Sequence, residues 1–267
     1  MSSCCPVAAL TLKFWQNVSD WLSCDEIVFE SETIGADNGF VIRLCTELEE
    51  FNKKYPNFSY GANLRIIPKF DYSELFAAFK KGNFRFLNIG LESGSNRVRA
   101  EVLKRHYTND DLLKVMDLAR KYELKVCFYV IVGIPGETKE EFQETIDMCK
   151  KAQPDGIYLA IFFPYSGTDL YNYCEENGYI PDDFDPVLDR KKAIMDFPNF
   201  SKKEIQRESE WFYYKVYKGQ KPLYVLLGYV LFRKIASNYF LNVVYGNLRR
   251  FALFEKMANR VKIFAEN

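Results

Sequence analysis

The sequence predicts an α/β protein whose central sheet is made of parallel strands. Short apolar runs of β type alternate with amphipathic helical stretches about five times, and the connections between them are short. One of these runs, 125–132, is apolar at almost every position, which is typical of a strand buried on both faces. Right-handed crossovers between such strands produce either an open sheet or a barrel.

The predicted elements follow one another regularly up to residue 180. We expect strands at 24–30, 58–64, 84–91, 125–132 and 156–163, and helices at 40–51, 72–81, 108–122 and 139–152. The apolar side of the first helix is predicted to contain Phe40, Ile42, Leu44, Cys45, Leu48 and Phe51. Beyond residue 180 the pattern predicts a loop at 181–198, a helix at 202–218 and a pair of amphipathic helices within 222–264.

The charge balance excludes a large net charge, and with it a strong electrostatic field around the whole protein. Lys plus Arg and Asp plus Glu both number 36, so nothing in the total charge indicates nucleic acid or an acidic partner. Residues 220–267 nevertheless contain eight basic and two acidic residues, a net of +6, which leaves −6 for the preceding 219. This basic, aromatic-rich tail either contacts a membrane surface or an acidic partner, or is a solvated helical cap.

Cysteine usage and the termini predict a cytoplasmic protein. The seven cysteines are an odd number in a chain of 267 residues, which favours reduced thiols over disulfides. There is no C-x-x-C pair, and the single histidine, His106, excludes a histidine-rich metal site built by this chain alone. No signal peptide is evident, and the longest apolar run, Leu223–Phe232, is too short to span a bilayer.

Polar loops follow three of the predicted strands. The segment Gly90–Ser95 combines a carboxylate, two hydroxyl groups and two glycines, which suits a ligand with ammonium or ribose groups, although a tight turn explains it equally well. The segment 133–138 combines a Pro-Gly turn with a capping box formed by Thr138 and Glu141. A third loop, 164–168, is again rich in hydroxyl groups. Because parallel strands end at one edge of a sheet, these loops predict a shared pocket.

Five segments together resemble the barrel of radical S-adenosylmethionine (SAM) enzymes, in the cobalamin-dependent branch and its tRNA methylthiotransferase-like relatives. The segments are 27–33 (IVFESET), 63–65 (NLR), 88–95 (NIGLESGS), 131–138 (IVGIPGET) and 164–171 (PYSGTDLY). The resemblance implies a partial TIM-type (β/α) barrel of parallel strands with a helical C-terminal extension. We accordingly expect an N-terminal remnant at 1–22, the partial barrel at 23–180 and a helical region with the basic tail at 181–267.

The resemblance also implies site residues. Those expected to bind SAM are Glu32, Arg65, Glu92, Ser93, Gly133 and Pro135. Glu92 and Ser93 match the family element that contacts the SAM ribose and methionyl group, and Arg65 could meet the SAM carboxylate or the substrate. The acidic position after the first predicted strand would lie near the methionyl end, and the glycine-proline loop would close around the adenine. Tyr165 and Thr168 would line the substrate side.

The chain departs from the family at the metal cofactor. The family holds a 4Fe–4S cluster with three cysteines in a C-x3-C-x2-C motif, and this sequence contains no such motif. Cys4 or Cys5 could be a relic of the last of the three. The resemblance therefore implies SAM as a cofactor, with the cluster and cobalamin expected of the family but not ligated by this chain. It leaves the catalytic residues unknown and predicts no metal ligands here.

These observations leave two classes of function open. The chain is either a truncated or split radical SAM enzyme that is inactive alone, or a non-catalytic ligand-binding or scaffold paralogue that uses the same barrel pocket. In the first case a second polypeptide could supply the cluster-binding half. In both cases the expected partner is a small-molecule ligand, with no strong nucleic-acid signal and no transmembrane segment. The sequence does not identify the substrate, since one fold serves many chemistries.

Overall fold

The structure is a computed structural model that describes residues 26–34, 37–182 and 192–237, without the side chains of residues 31–33 and 236. The strands are β1 (Glu26–Ile34), β2 (Ser59–Leu64), β3 (Phe84–Glu92), β4 (Lys125–Val132) and β5 (Gly156–Ile161). The helices are α1 (Asn38–Lys54), α2 (Ser73–Lys81), α3 (Asn109–Lys121), α4 (Lys139–Ala152), α5 (Asp169–Glu176), α6 (Lys202–Tyr217) and α7 (Leu223–Ser237), with a π-helical turn at Val98–Val102.

The five strands form one sheet in which the order of the strands is their order along the chain. β1 pairs with β2 and β2 pairs with β3, both in parallel, and a helix lies between each strand and the next. Parallel neighbours need such crossover connections, because a short turn cannot return the chain to the same end of the sheet. The predicted α/β class with parallel strands is therefore confirmed, and the helical C-terminal region is present.

The described chain divides into two compact units. The first unit comprises residues 26–90 and Asp111–Cys127, and the second comprises Leu91–Asp110 and the chain from Phe128 onwards. An aromatic cluster fills the core of the first unit, where the rings of Phe79 and Phe84 lie 4.7 Å apart. The boundaries expected at residues 22 and 180 stay predictions, and residues 1–22 lie outside the described part of the chain.

The interior strand β4 is buried on one face only. Val126, Phe128, Val130 and Val132 are at most 1% exposed, whereas Tyr129 between them is 38% exposed. Alternate residues of a strand point to opposite faces of the sheet, so this pattern means that one face packs tightly and the other does not. The expectation of burial on both faces was wrong, because an apolar run does not reveal which positions its neighbours cover.

The helices lie close to their predicted positions, but the buried face of α1 differs from the predicted one. The predicted helix 139–152 has the bounds of α4, and its capping box is present, with the Glu141 N–H donating to Thr138 Oγ1 at 3.2 Å. In α1 the buried face contains Val41 and Leu44, while Phe40 is 43% exposed. The inclusion of Phe40 in the apolar side was therefore wrong, because Val41 occupies the core-facing position instead.

The C-terminal helices belong to the second unit. α6 begins at a capping box between Ser201 and Glu204 and packs against α4 and α7. The Tyr213 hydroxyl donates to the Ile157 carbonyl at 2.6 Å, which ties α6 to β5. The predicted helix 202–218 is confirmed, and α7 is the first of the predicted pair within 222–264, whose remainder lies outside the described residues. None of the helices in the described ranges has the length and hydropathy needed to cross a membrane.

Candidate functional site

β3 ends in a sharp change of backbone direction at Glu92. Its φ of 57° lies in the left-handed region, which is uncommon for a residue with a side chain and frequent at functional sites. The Glu92 carboxylate is 15% exposed and lies 3.1 Å from an Arg105 guanidinium nitrogen. Burial raises the pKa of Glu92, and the Arg105 charge acts in the opposite direction. We call residues 92–97 the Glu92 loop.

The Ser93 hydroxyl points into the protein. Ser93 is fully buried, and its hydroxyl donates to Glu137 Oε1 at 3.4 Å and lies 3.3 Å from Thr145 Oγ1. The next residue is held in the same way, since the Gly94 N–H donates to Thr145 Oγ1 at 2.7 Å. These bonds fasten the Glu92 loop to α4, and they engage the Ser93 hydroxyl within the protein itself.

Gly94 marks the closest approach between this loop and α4. A Cβ atom at Gly94 would lie 2.5 Å from the Cα of Thr145 and 2.6 Å from the Glu144 carbonyl oxygen. Both are backbone atoms of a helix and cannot move aside as a flexible side chain would. Glycine is needed here for close approach, which is one of its two main structural uses.

A buried arginine holds the loop from the other side. Arg99 is fully buried, and its guanidinium donates to the Ser93 carbonyl at 2.7 Å and to Asn109 Oδ1 at 2.7 Å. It lies 4.7 Å from the centre of the Tyr107 ring. Burial lowers the pKa of Arg99, although hydrogen-bonded partners compensate much of the cost of burying a charge. Arg99 therefore fixes the backbone that follows Glu92.

The loop after β4, residues 133–138, is organised around a buried acid, and we call it the Gly133 loop. Glu137 has no exposed surface, and its Oε2 accepts the N–H groups of Gly133 at 2.8 Å and Ile134 at 3.3 Å. Burial raises the pKa of Glu137 to about 8, and these backbone bonds oppose the shift. The carboxyl group is therefore mostly protonated near neutral pH. Sequence reasoning missed Glu137, although it lies within the 131–138 motif, because burial of an acid is not visible in a sequence.

Arg97 forms a second connection between the Glu92 loop and the Gly133 loop. Its guanidinium donates to the Gly136 carbonyl at 2.7 Å and to Glu141 Oε1 at 2.6 Å. The Ser95 hydroxyl donates to the same carboxylate oxygen at 3.3 Å. Glu141 thus serves both the capping box of α4 and the Glu92 loop. The two loops form one hydrogen-bonded assembly within the second unit.

The other predicted residues of the second unit differ in exposure. Gly133 has a φ of 78° and is buried, as is Pro135. Tyr165 is 44% exposed, and Thr168 is exposed at the start of α5, where its hydroxyl donates to the Tyr165 carbonyl at 2.8 Å. The Glu137 carboxyl group contacts both the Ser93 hydroxyl and the Gly133 N–H. Glu92, the residue before Ser93, is the last residue of β3.

The remaining predicted residues belong to the first unit. Arg65 follows β2 with an exposed side chain, and its carbonyl accepts a hydrogen bond from the Tyr72 hydroxyl at 3.3 Å. The asparagines of two recognised segments meet in the sheet, since Asn88 donates to Asn63 Oδ1 at 3.0 Å. The side chain of Glu32 lies outside the described residues. The predicted roles of all these residues in binding stay predictions.

A protein-family model matches the part of the chain that contains these strands and loops. Residues 25–149 match the family model described as the radical SAM superfamily, and they contain both the Glu92 loop and the Gly133 loop. Residues 25–149 belong to the radical SAM superfamily. The resemblance found in the sequence is confirmed, and we refer to these residues as the radical SAM domain.

Curated relatives of this domain are tRNA-modifying enzymes by name. A tRNA-2-methylthio-N(6)-dimethylallyladenosine synthase of Thermotoga petrophila is 34% identical over 92 residues, which are 34% of this chain and 20% of the relative. A probable threonylcarbamoyladenosine tRNA methylthiotransferase of Pyrococcus horikoshii is 25% identical over 181 residues, which are 66% of this chain and 41% of the relative. The matched region thus spans less than half the length of these relatives.

Solved structures share the fold of the radical SAM domain. The methyltransferase TsrM from Kitasatospora setae, solved with cobalamin and an iron–sulfur cluster, aligns with a TM-score of 0.54 at 16% identity over 64% of this chain and 31% of its own. Apo OxsB, a cobalamin-dependent SAM radical enzyme, aligns with a TM-score of 0.56 at 13% identity over 91% of this chain and 45% of its own. Identities this low show the fold alone. They support the barrel-type architecture inferred from the sequence.

The described side chains do not fit the cluster of the radical SAM family. Within the described residues, no three His, Cys, Asp or Glu side chains come together as metal ligands would. Cluster ligation requires thiolates on one side of an accessible site, whereas Cys45, Cys149 and Cys174 are each buried, and burial raises the pKa of all three thiols. Cys4, Cys5 and Cys24 lie outside the described residues.

Proposed function

We propose that this chain provides the SAM-binding loops of a radical SAM barrel. The observation that carries the proposal is the Glu92 loop: the left-handed backbone at Glu92 presents a partly exposed carboxylate directly at the end of β3. Buried bonds from Ser93, Gly94 and the Arg99 guanidinium hold that backbone in place. A site fixed in this way binds its ligand without first having to order itself.

The Glu92 carboxylate would accept hydrogen bonds from the ribose hydroxyls or the α-ammonium group of SAM. Partial burial strengthens such bonds, because less water competes for the carboxylate. Ser93 would act by positioning, and the Gly133 loop, with Pro135, would offer its backbone to the adenine. Arg65, Glu32, Tyr165 and Thr168 keep the roles that the family resemblance implies, the last two on the substrate side.

We further propose that these 267 residues do not perform radical chemistry alone. Reductive cleavage of SAM needs an electron from the cluster, and the chain contains no C-x3-C-x2-C motif to ligate one. The cluster ligands would then come from a second polypeptide, or the chain would be a non-catalytic module that binds SAM or a related ligand. For the complete enzyme we propose methyl or methylthio transfer, as the names of the relatives suggest, and cobalamin as a further cofactor, as the names of the solved structures suggest; we also propose a cytoplasmic location.

Equilibrium dialysis of the purified chain with radiolabelled SAM tests the binding proposal. We expect saturable binding by the parent chain and a loss of at least about tenfold in affinity for Glu92→Gln, because a charged hydrogen bond contributes about 1.5–3 kcal/mol. The matched control is Glu101→Gln, because Glu101 lies nearby in the same unit and its side chain is 68% exposed. This variant should bind SAM with the affinity of the parent chain.

The outcomes separate the possibilities sharply. A folded parent chain that binds no SAM would refute the proposal, and so would a Glu92→Gln variant with unchanged affinity. SAM binding without cleavage under reducing conditions supports a chain that needs external cluster ligands. Cleavage to 5′-deoxyadenosine by the chain alone would contradict the proposed dependence on another polypeptide.

A further inference from the structure

α7 presents an apolar half to solvent. Leu223, Tyr224, Leu227 and Leu231 are 60%, 74%, 45% and 60% exposed. At 3.6 residues per turn these four side chains fall within about a third of the helix circumference, and Phe232, 43% exposed, lies beside them. We call these five residues the α7 face. Single exposed apolar residues are ordinary, but a continuous exposed stripe indicates an interaction surface.

The opposite half of α7 is firmly packed, so the orientation of the helix is set by the fold. Val225, Leu226 and Val230 are at most 8% exposed. The ring of Tyr229 stacks on that of Tyr213 in α6, with centroids 4.8 Å apart. The α7 face is therefore directed outward because the other side of the helix is already buried against α6.

The sequence around α7 contains basic residues and no acidic ones. From Trp211 to Phe254 the sequence contains no Asp or Glu, whereas Lys218, Lys221 and Lys234 lie within or next to α7. Lys234 also lines a hollow of about 640 Å³ between the start of α6 and the end of α7. The other charged residues lining it are Lys192, Lys202, Lys203 and Glu210.

We propose that the α7 face docks on an anionic membrane surface. A helix with an exposed apolar stripe, flanking lysines and no acidic residue has the composition of helices that lie in the lipid headgroup region. The leucines would enter the acyl boundary, Tyr224 would lie at the headgroup level, and the lysines would approach lipid phosphates. Because the other half of α7 is packed against α6, the helix would lie along the membrane surface with only the α7 face in contact with lipid.

Charge distinguishes this occupant from two others. A second copy of the chain would bring the lysines around one α7 face against those of the other, which is unfavourable at short range. Residues 238–267 are also basic, with five Lys or Arg and two Glu, so they do not complement the lysines beside α7. An anionic lipid surface complements both the apolar stripe and the positive charge.

Sedimentation with vesicles tests the proposal on the 267-residue chain. The probes are vesicles of phosphatidylcholine alone and vesicles in which about one third of the lipid is phosphatidylglycerol. We expect binding to the anionic vesicles that weakens as salt is raised, and at least about tenfold weaker binding for the double variant Leu227→Glu/Leu231→Glu. The triple variant Lys202→Gln/Lys203→Gln/Lys234→Gln should also bind more weakly, while retaining the apolar stripe.

Phe40→Glu provides the matched control, because Phe40 is 43% exposed on α1 in the first unit and should leave vesicle binding unchanged. Circular dichroism confirms that each variant is folded. Equal binding to both vesicle types, no binding to either, or unchanged binding by Leu227→Glu/Leu231→Glu would overturn the proposal. A dimer that forms without lipid and is lost in the same double variant would also overturn it, in favour of an interface between copies.

Discussion

At the scale of single residues, Glu137 is an acid with no exposed surface whose carboxyl group lies against two backbone N–H groups. Oε2 accepts both of these bonds, which leaves Oε1 facing the Ser93 hydroxyl at 3.4 Å. When the carboxyl group is protonated on Oε1, it can donate to the Ser93 oxygen, and the Ser93 hydroxyl can then donate to Thr145 Oγ1 instead of to Glu137. Glu137 thereby connects the Gly133 loop to the residue that follows Glu92.

This arrangement predicts a pH dependence of stability that Glu137→Gln removes. The pKa of Glu137 is about 8 in the folded chain against an ordinary 4.5, so its contribution to stability is complete below about pH 4.5 and is lost as pH rises towards 8. The parent should lose up to about 1.4 kcal/mol of unfolding free energy per pH unit through this interval from this group. The glutamine amide should accept the two N–H groups and donate to Ser93 without titrating.

Urea denaturation at several pH values between 5 and 8 measures the effect. Glu144→Gln, at an exposed position on the same helix, should keep the slope of the parent. If Glu137→Gln showed the same pH dependence as the parent, the Glu137 carboxyl group could not be its source.

At the scale of elements, the Glu92 loop is fastened to α4 by contact as well as by hydrogen bonds. Thr145 Oγ1 accepts the Gly94 N–H, and the helix backbone lies directly against the Gly94 Cα. The capping acid of the helix, Glu141, bonds to Ser95 and Arg97 in the same loop. The start of α4 is thus a support for the loop as well as a cover for the sheet.

Gly94→Ala should therefore destabilise the chain. The added methyl group would meet backbone atoms at 2.5–2.7 Å, and overpacking of this kind costs about 1–3 kcal/mol. Chemical denaturation gives the free energy of unfolding, and Gly39→Ala is the control, since its new Cβ meets nothing closer than 3.4 Å. The control should be neutral or slightly stabilising, because alanine is the better helix former. Equal stability of Gly94→Ala and the parent would contradict the close packing of loop and helix.

At the scale of the whole molecule, the 267 residues contain no C-x3-C-x2-C motif of the kind that holds the cluster in the radical SAM family. None of the four described cysteines forms a disulfide, three of them are buried, and none joins a cluster of candidate metal ligands in the described ranges. The Glu92 and Gly133 loops do not depend on such ligands, because their bonds run among themselves and to α4. We therefore expect the proposed SAM binding by these loops not to require the cluster.

Anaerobic reconstitution with iron and sulfide tests whether this chain ligates a cluster and whether SAM binding depends on one. We expect iron at background level and no broad visible absorption from the purified 267-residue chain, because three suitably spaced thiolates are missing. The SAM titration described above should give the same affinity before and after the treatment. Incorporation of about four irons per chain would show that distant thiols assemble a site and would contradict the proposed need for external ligands.

Much of the fold and part of the site could be predicted from the sequence. The strands and helices follow from local periodicity and capping, as α4 and its Thr138–Glu141 box demonstrate. The family resemblance located Glu92 and Gly133, which lie in the two hydrogen-bonded loops. Phe40 and the open face of β4 were misjudged, because burial depends on neighbours that are remote along the chain.

By itself the sequence determined the α/β class, the membership of residues 25–149 in the radical SAM superfamily and the lack of a C-x3-C-x2-C motif, since these are properties of local pattern. Only the tertiary structure decided that Glu137 is buried, that the Ser93 hydroxyl turns inward and that α7 exposes its leucines. The first two depend on the packing of Ser93 against Glu137, 44 residues away in the chain, and the third depends on the packing of α7 against α6. Packing sets the dielectric surroundings and accessible surface of each side chain, and local sequence encodes neither.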